Sequence, residues 1–263
     1  MVPYVRKSFA KHLENALLYI MCNGDEEEYQ ELLEEMEKSD TIFLAEHPGY
    51  HKTPIEEIPI TARLDTSIPM AKKVYDYALK MTEREVYQAV EAMYHNLNTL
   101  QSRSGNQLPF TSVNYGTCTL PEGRMVTKAL LDVSIKGLGK LHKTSIFPCG
   151  IFQCMKGVNR APGDPNYDLF KLALKSTAQR LYPNYANVDW SGNAGYDIND
   201  PRSHFSTLGC RTANGWDVNG FGQLKDGRGN ICPVTIIMPT LAMQAKKAYE
   251  RSWEKPEDYP KDW

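Results

Sequence analysis

The chain has 263 residues, 41% hydrophobic and 24% charged, with a formal charge of -2, the proportions of an ordinary globular protein with room for a sizeable core. That balance, with a pI near 6.3, provides no basic surface for nucleic acid, no apolar run reaches the length of a membrane span, and the opening MVPYVRKSFAKHL carries charges where a signal peptide would be apolar. The expectation is a cytoplasmic protein whose six cysteines are reduced thiols, with no CxxC pair among them.

Residues 4 to 38 read as two helices. In the first, Val5, Phe9, Leu13, Ala16, Leu17 and Ile20 fall at three- and four-residue spacing and form one apolar stripe, broken at Cys22-Asn23-Gly24. The second, DEEEYQELLEEMEK, begins acidic and ends in lysine, the polarity that suits a helix dipole; its acidic run reads as a solvated face. Residues 40 to 69 hold several prolines and read as an irregular connection. From Ala71 to about Gln101 the pattern is helical again, and Thr82 with Glu85 resembles a capping box, which predicts two abutting helices.

Beyond Ser104-Gly105-Asn106 the character changes. PFTSVNYG (109 to 116) is β-rich, residues 122 to 136 are helical and closed by Gly137, and TSIFPCGIFQ (144 to 153) is β-rich with a bend at its proline and glycine. Residues 166 to 182 form a helix stopping before Pro183. ANVDW, HFSTLG and ICPVTIIM are short strand candidates, and PTLAMQAKKAYERSWEK closes as a helix with Pro239 near its start. Strands alternating with helices predict an α/β fold with buried parallel strands, in which chemistry gathers at strand ends and the loops after them.

Several motifs invite chemistry. GLGK at 137 to 140 lacks the earlier glycine and following Ser/Thr of a phosphate loop. Asp226-Gly227-Arg228-Gly229-Asn230 is a turn signal delivering the strand at Ile231. Cys149 and Cys154 differ by an odd offset, which on a strand sends them to opposite faces, so two structural thiols outweigh a shared metal. A Cys-His hydrolase, pairing Cys210 with His204 or Cys118 with His95 or His142, has no support beyond composition. Cys210 differs in kind: flanked by Gly209 and Arg211 after an apolar strand, it sits where backbone can crowd a substrate. By spacing alone, a hairpin with two buried cysteines explains Cys210 and Cys232 equally well.

Longer stretches carry a resemblance. HNLNTLQSRSGNQLPFTSVNYGTCTLPEGRMV (95 to 126), IFPCGIFQCMKGVNRAPGDPNYDLFKLALKSTAQRLYPN (146 to 184), FSTLGCRTANGW (205 to 216) and DGRGNICPVTIIMPTLAM (226 to 243) resemble the catalytic domain of anaerobic, class III ribonucleoside-triphosphate reductases. VPYVRKSF and YALKMTEREVYQA fit the same family. The fold the resemblance implies is part of the ten-stranded α/β barrel of ribonucleotide reductases and glycyl-radical enzymes, with a mainly helical section over 1 to 108 and a barrel section carrying the cysteine loop over 109 to 263, in one continuous, incomplete domain.

The resemblance implies that Cys210 becomes a thiyl radical and removes the ribonucleotide 3'-hydrogen, that Asn230 orients the 2'-position, and that Cys232 is a candidate second thiol. Asn114, Cys118 and Arg211 fall on the substrate side; Cys118 stands where many relatives carry aspartate. The family's four-cysteine zinc site and radical glycine are not in this sequence, so the expectation is a fragment that binds no cofactor itself and is inert alone. The implied partners are a ribonucleoside triphosphate, the remaining N- and C-terminal reductase segments, ATP or deoxynucleotide effectors, an S-adenosylmethionine-dependent iron–sulfur activating enzyme, and formate or a redoxin as reductant. The implied assembly when intact is a homodimer, with neither nucleic acid nor membrane as partner. The alternatives are a non-catalytic structural or regulatory fragment, and a glycyl-radical enzyme acting on a non-nucleotide, which the Cys210 and GRGN motifs disfavour.

Overall fold

The computed structural model describes residues 1–38, 57–62, 64, 66–67, 69–99, 109–189, 197, 200, 204, 206–208, 212–214 and 234–252. Contacts divide the chain into a unit Met1–Arg228 and a second unit Gly229–Trp263.

The apolar stripe of the opening segment becomes helix α1 (Val2–Ala16), which buries Val5, Phe9, Leu13 and Ala16 along one face. It continues into a π-helical turn, Leu17–Met21, where the amide of Cys22 reaches back five residues to the Leu17 carbonyl at 3.2 Å. Gly24 then takes φ +84°, and Asp25 opens helix α2 (Glu26–Lys38) by accepting hydrogen bonds from the amides of Glu27 and Glu28 at 2.9 and 3.2 Å. That carboxylate satisfies amides that have no partner within the helix.

The pair of helices expected after residue 71 is one helix, α3 (Pro69–Thr99), 31 residues long. The capping box does not form. Thr82 is fully buried and donates from Oγ1 to the Ala78 carbonyl at 2.8 Å, the back-bond of a threonine inside a helix. Glu85 turns to α1 instead, taking Ser8 and His12 as partners. Tertiary packing overrides the local signal. Phe9, Leu13 and Leu17 pack with Val74 and Ala78 in one cluster. Val5, Val86, Val90 and Tyr94 join Ala129, Leu130 and Val133 in a second. Full burial of a Phe or Leu side chain is worth about 1.5–3 kcal/mol, so these stripes lock α1 onto α3 and α3 onto the helix that follows.

The predicted strand–helix alternation is present. Strand β1 (Ser112–Tyr115), helix α4 (Pro121–Lys136), strand β2 (Cys149–Cys154), helix α5 (Tyr167–Arg180) and strand β3 (Asn184–Asn187) succeed one another. The strands form a parallel sheet in the order β1-β2-β3, with Asn114 opposite Ile151 and Ile151 opposite Asn184. Helix α4 ends at Gly137, as expected. Its φ is +74°, and a Cβ there would approach the His142 carbonyl oxygen to 2.6 Å, so only glycine fits the turn. A short antiparallel pair follows, β4 (Ser206–Leu208) with β5 (Thr212–Asn214).

In the second unit, helix α6 (Met238–Ser252) starts where the proline predicts. The strand expected over 231 to 238 is corrected in its described part. Residues 234–237 carry no regular secondary structure, and Val234, Ile236 and Ile237 are exposed. A β-branched run reads as a strand only when a neighbouring strand buries it.

Candidate active site

The two faces of the parallel sheet are chemically distinct. Val113 and Tyr115 pack against the cluster containing Ala129, Leu130 and Val133 of α4, and Tyr115 and Phe152 pack with Leu131, Leu169 and Ala173 of α4 and α5. Alternation along a strand therefore sends Asn114, Cys149 and Gln153 to the opposite face. Cys154 belongs to the helix-side cluster, so the odd offset separates it from Cys149 as the sequence predicts. Burial pushes the Cys154 thiol up, Asp189 adds to that, and Arg160 opposes it. Cys154 is a packing thiol.

The ends of β1 and β2 are bolted together by two asparagines. Asn159, fully buried, donates from Nδ2 to the carbonyls of Gly116 and Gln153 at 3.1 and 2.9 Å, and accepts from the Met155 amide at 2.9 Å. Asn166 donates to the carbonyls of Gly116 and Cys118 at 3.0 and 2.9 Å and accepts from Arg124 at 2.6 Å. The loops leaving the carboxyl ends of the strands, where α/β folds place their chemistry, are thus rigid.

Cys118 lies in the first of these loops. A Cβ on Gly123, in the first turn of α4, would overlap its Sγ and approach its Cβ to 2.8 Å, so the thiol is seated on the backbone of the helix start. Asn114, on the face away from the helices, makes a two-point contact. Its Nδ2 donates to the Thr207 carbonyl at 3.0 Å, and its Oδ1 accepts the Thr207 amide at 3.2 Å. This ties β4 to β1 across 93 residues of sequence. In the register of the hairpin Leu208 faces Thr212. Residues 209 to 211, which link the two strands in sequence and include Cys210 and Arg211, lie outside the described residues, as do Asn230 and Cys232.

The sequence model of the family described as anaerobic ribonucleoside-triphosphate reductase matches residues 1–259. The chain belongs to this family. It is similar to the anaerobic ribonucleoside-triphosphate reductase of Salmonella typhimurium, 34% identical over 68% of this chain and 24% of the relative. The same figures hold for the reductase of Escherichia coli. The reductase of Enterobacteria phage T4 is 36% identical over 65% of this chain and 27% of the relative. The chain thus spans about a quarter of the length of the curated relatives it matches.

Within this member of the family the structure brings Asn114 together with the strand that precedes Cys210 in sequence, and puts Cys118 in the loop after β1. Among the described residues no group of three His, Cys, Asp or Glu side chains could hold a metal ion, and no helix is long and apolar enough to cross a membrane. Sequence reading missed Asn159, Asn166 and the buried ion pair of Arg6 with Glu122, whose Nε–Oε1 distance is 2.8 Å. Asparagines in a Gly-Pro-rich stretch read as turn formers, and nothing local marks a partner more than forty residues away. The short-range signal that was available is Gly123 beside Cys118, since a glycine in the first turn of a helix marks close approach.

Proposed function

We propose that the chain supplies the radical-relay cysteine of an anaerobic reductase converting ribonucleoside triphosphates to 2'-deoxyribonucleoside triphosphates. The observation carrying this reading is the tie between Asn114 and Thr207, within a chain of the reductase family. It anchors β4 three residues before Cys210, so the Cys210 Cα is held to within about 11 Å of Thr207 by chain length alone. On this reading β1, β2 and β3 are staves of the ten-stranded barrel, and the β4–β5 hairpin brings the cysteine to its interior.

In the proposed reaction the Cys210 sulfur, as a thiyl radical, takes the 3'-hydrogen and becomes a thiol. The protonated 2'-hydroxyl leaves as water from the sugar radical. Two electrons from formate, released as carbon dioxide, or from a dithiol, released as a disulfide, reduce the 2'-carbon to CH2. Cys210 then returns its hydrogen to C3' and is again a thiyl radical. An enclosed cavity keeps water and stray hydrogen donors from quenching the sulfur. Asn230 orients the 2'-hydroxyl, Cys232 is the candidate second thiol, Cys118 and Arg211 line the substrate side, and Asn114 serves that side through its hold on Thr207.

The oxidising equivalent originates on a glycine outside this chain, set there by an S-adenosylmethionine-dependent iron–sulfur enzyme. The zinc site, the nucleotide effectors and the dimer contacts are likewise assigned to the rest of the enzyme. The test is anaerobic reconstitution of this chain with the complementary reductase segments and the activating enzyme, reading deoxynucleotide formation with formate or with a dithiol donor. Turnover should appear and should vanish in Cys210→Ser. Turnover that persists in that variant overturns the assignment of the cysteine. Reconstitution that fails with either donor favours a structural or regulatory role.

A further inference from the structure

We infer that Asn114 is a positioning residue, whose carboxamide on the face of β1 turned away from α4 and α5 grips the backbone of Thr207 and so sets where β4 ends, two residues before Cys210 in sequence. The geometry stands by itself; its consequence for catalysis rests on the reductase reading above. Residues of an antiparallel strand alternate, one turning its N–H and C=O toward the partner strand and the next turning both outward. Thr207 spends both groups on Asn114, at 3.2 Å to Oδ1 and 3.0 Å from Nδ2.

A primary carboxamide offers one acceptor and one donor a peptide-like distance apart, which matches the exposed edge of a single strand residue. Serine offers one atom, aspartate at neutral pH only acceptors, and glutamine places the same groups one methylene too far.

The two ends of this contact differ in rigidity. Asn114 stands on β1, which is paired with β2 and backed by Val113 and Tyr115 in the helix-side clusters. At the other end is a hairpin of two three-residue strands, and a hairpin of that size is marginal without further support. Thr207 is itself drawn inward, its Oγ1 buried without a hydrogen-bond partner. Burying that hydroxyl is unfavourable, and the two backbone bonds from Asn114 offset it. The carboxamide therefore transmits the position of the sheet to the strand that leads to the radical cysteine. This role acts through Thr207 and is distinct from direct contact with substrate.

Amide hydrogen exchange on the full 263-residue chain tests the clamp without any catalysis. The Thr207 amide should be protected in the parent chain and should exchange at least tenfold faster in Asn114→Ala, with the amides of Ile151 and Phe152 in β2 changed less than twofold. In Asn114→Asp, once intrinsic exchange is corrected for, protection of Thr207 should return as the pH is lowered and the introduced carboxyl gains a proton, because the neutral acid again offers donor and acceptor.

Unchanged exchange at Thr207 in Asn114→Ala overturns the inference, as does loss of protection in β2 to the same degree. If Asn114→Ala does not fold, absence of the pH-dependent recovery in Asn114→Asp overturns it. In the reconstituted enzyme Asn114→Ala should lower kcat at least tenfold with KM for the nucleotide changed less than twofold; the reverse pattern marks a substrate contact and overturns it also. A clamp that passes the exchange test in a chain that never reconstitutes turnover would leave the geometry standing and remove only the reductase reading.

Discussion

The helical section and the sheet section of the first unit are held together by opposite means. Where α1 and its π-helical extension meet α3, the buried packing is apolar and periodic: Phe9, Leu13, Leu17, Val74 and Ala78 are all fully buried. Around the sheet, distant segments are joined by carboxamides. Asn98 takes the amides of Ile146 and Phe147 and donates to the Phe147 carbonyl, Asn159 and Asn166 tie the loops after β1 and β2, and Asn114 holds β4. Apolar packing is tolerant of identity and sensitive to volume. A carboxamide between backbone groups is the reverse: its donor and acceptor cannot be replaced by anything of equal size.

The buried ion pair that joins α1 to α4 provides the sharpest test. Glu122 at the start of α4 is fully buried, and it accepts from Arg6 Nε at 2.8 Å and from the Ile60 amide at 3.1 Å. Burial pushes its carboxyl up, but the Arg6 guanidinium and backbone amides outweigh that and hold it below the usual range. Arg6→Met keeps most of the volume and strands a buried carboxylate, so it should cost about 3–5 kcal/mol in urea unfolding. Adding Glu122→Leu should recover most of that loss. A double variant no more stable than Arg6→Met would show that the pair is needed for more than charge balance.

Within the apolar stripe itself, Leu13→Ala should cost about 2–5 kcal/mol and Leu13→Met under about 1.5 kcal/mol, a split readable from the same denaturation curves. Asn159 should behave the other way. Asn159→Leu keeps the branched shape yet removes the acceptor of the Met155 amide, at about 1–3 kcal/mol for a buried group left unsatisfied. Asn159→Ala should be no worse than Asn159→Leu. If leucine is tolerated there, the contrast between the two sections is false.

This contrast also explains what could be read from the sequence. The stripe from Val5 to Ile20 predicted α1 because packing repeats every three to four residues, and the alternation after residue 109 predicted the parallel sheet for the same kind of reason. No break forms at Thr82 because a capping box is a four-residue pattern, whereas the partners of Glu85 are Ser8 and His12 of α1, more than seventy residues back. Of the expected site residues, Asn114 and Cys118 lie among the described residues, on β1 and in the loop after it. What Asn114 grips was not legible in the sequence, since its partner is 93 positions away and neither residue has a pattern that points to the other. Asn159 and Asn166 were invisible on the same ground.

The smallest expected effect comes from the polar contact bridging α1 and α3. Glu85 Oε2 accepts from Ser8 Oγ at 2.5 Å and meets His12 Nε2 at 2.8 Å. The Ser8 hydroxyl holds the carboxyl below its usual range; partial burial works against this, and His12 and Lys11 reinforce it. A carboxyl lowered in the folded state binds its proton more weakly there than in the unfolded chain. It contributes stability that is complete above the unfolded value near ~4.3 and is lost as pH falls through the lower folded value. Because the Glu85 side chain is 50% exposed, solvent screening limits that contribution to under about 1 kcal/mol. Glu85→Gln keeps the shape and removes the titration, so its stability should fall less steeply than that of the parent chain between about pH 5 and pH 3. Glu122 titrates in both proteins, and the difference between the two acid limbs isolates Glu85. Identical limbs would mean that the bridge between α1 and α3 is geometry without energy, and that the apolar stripe alone holds these helices.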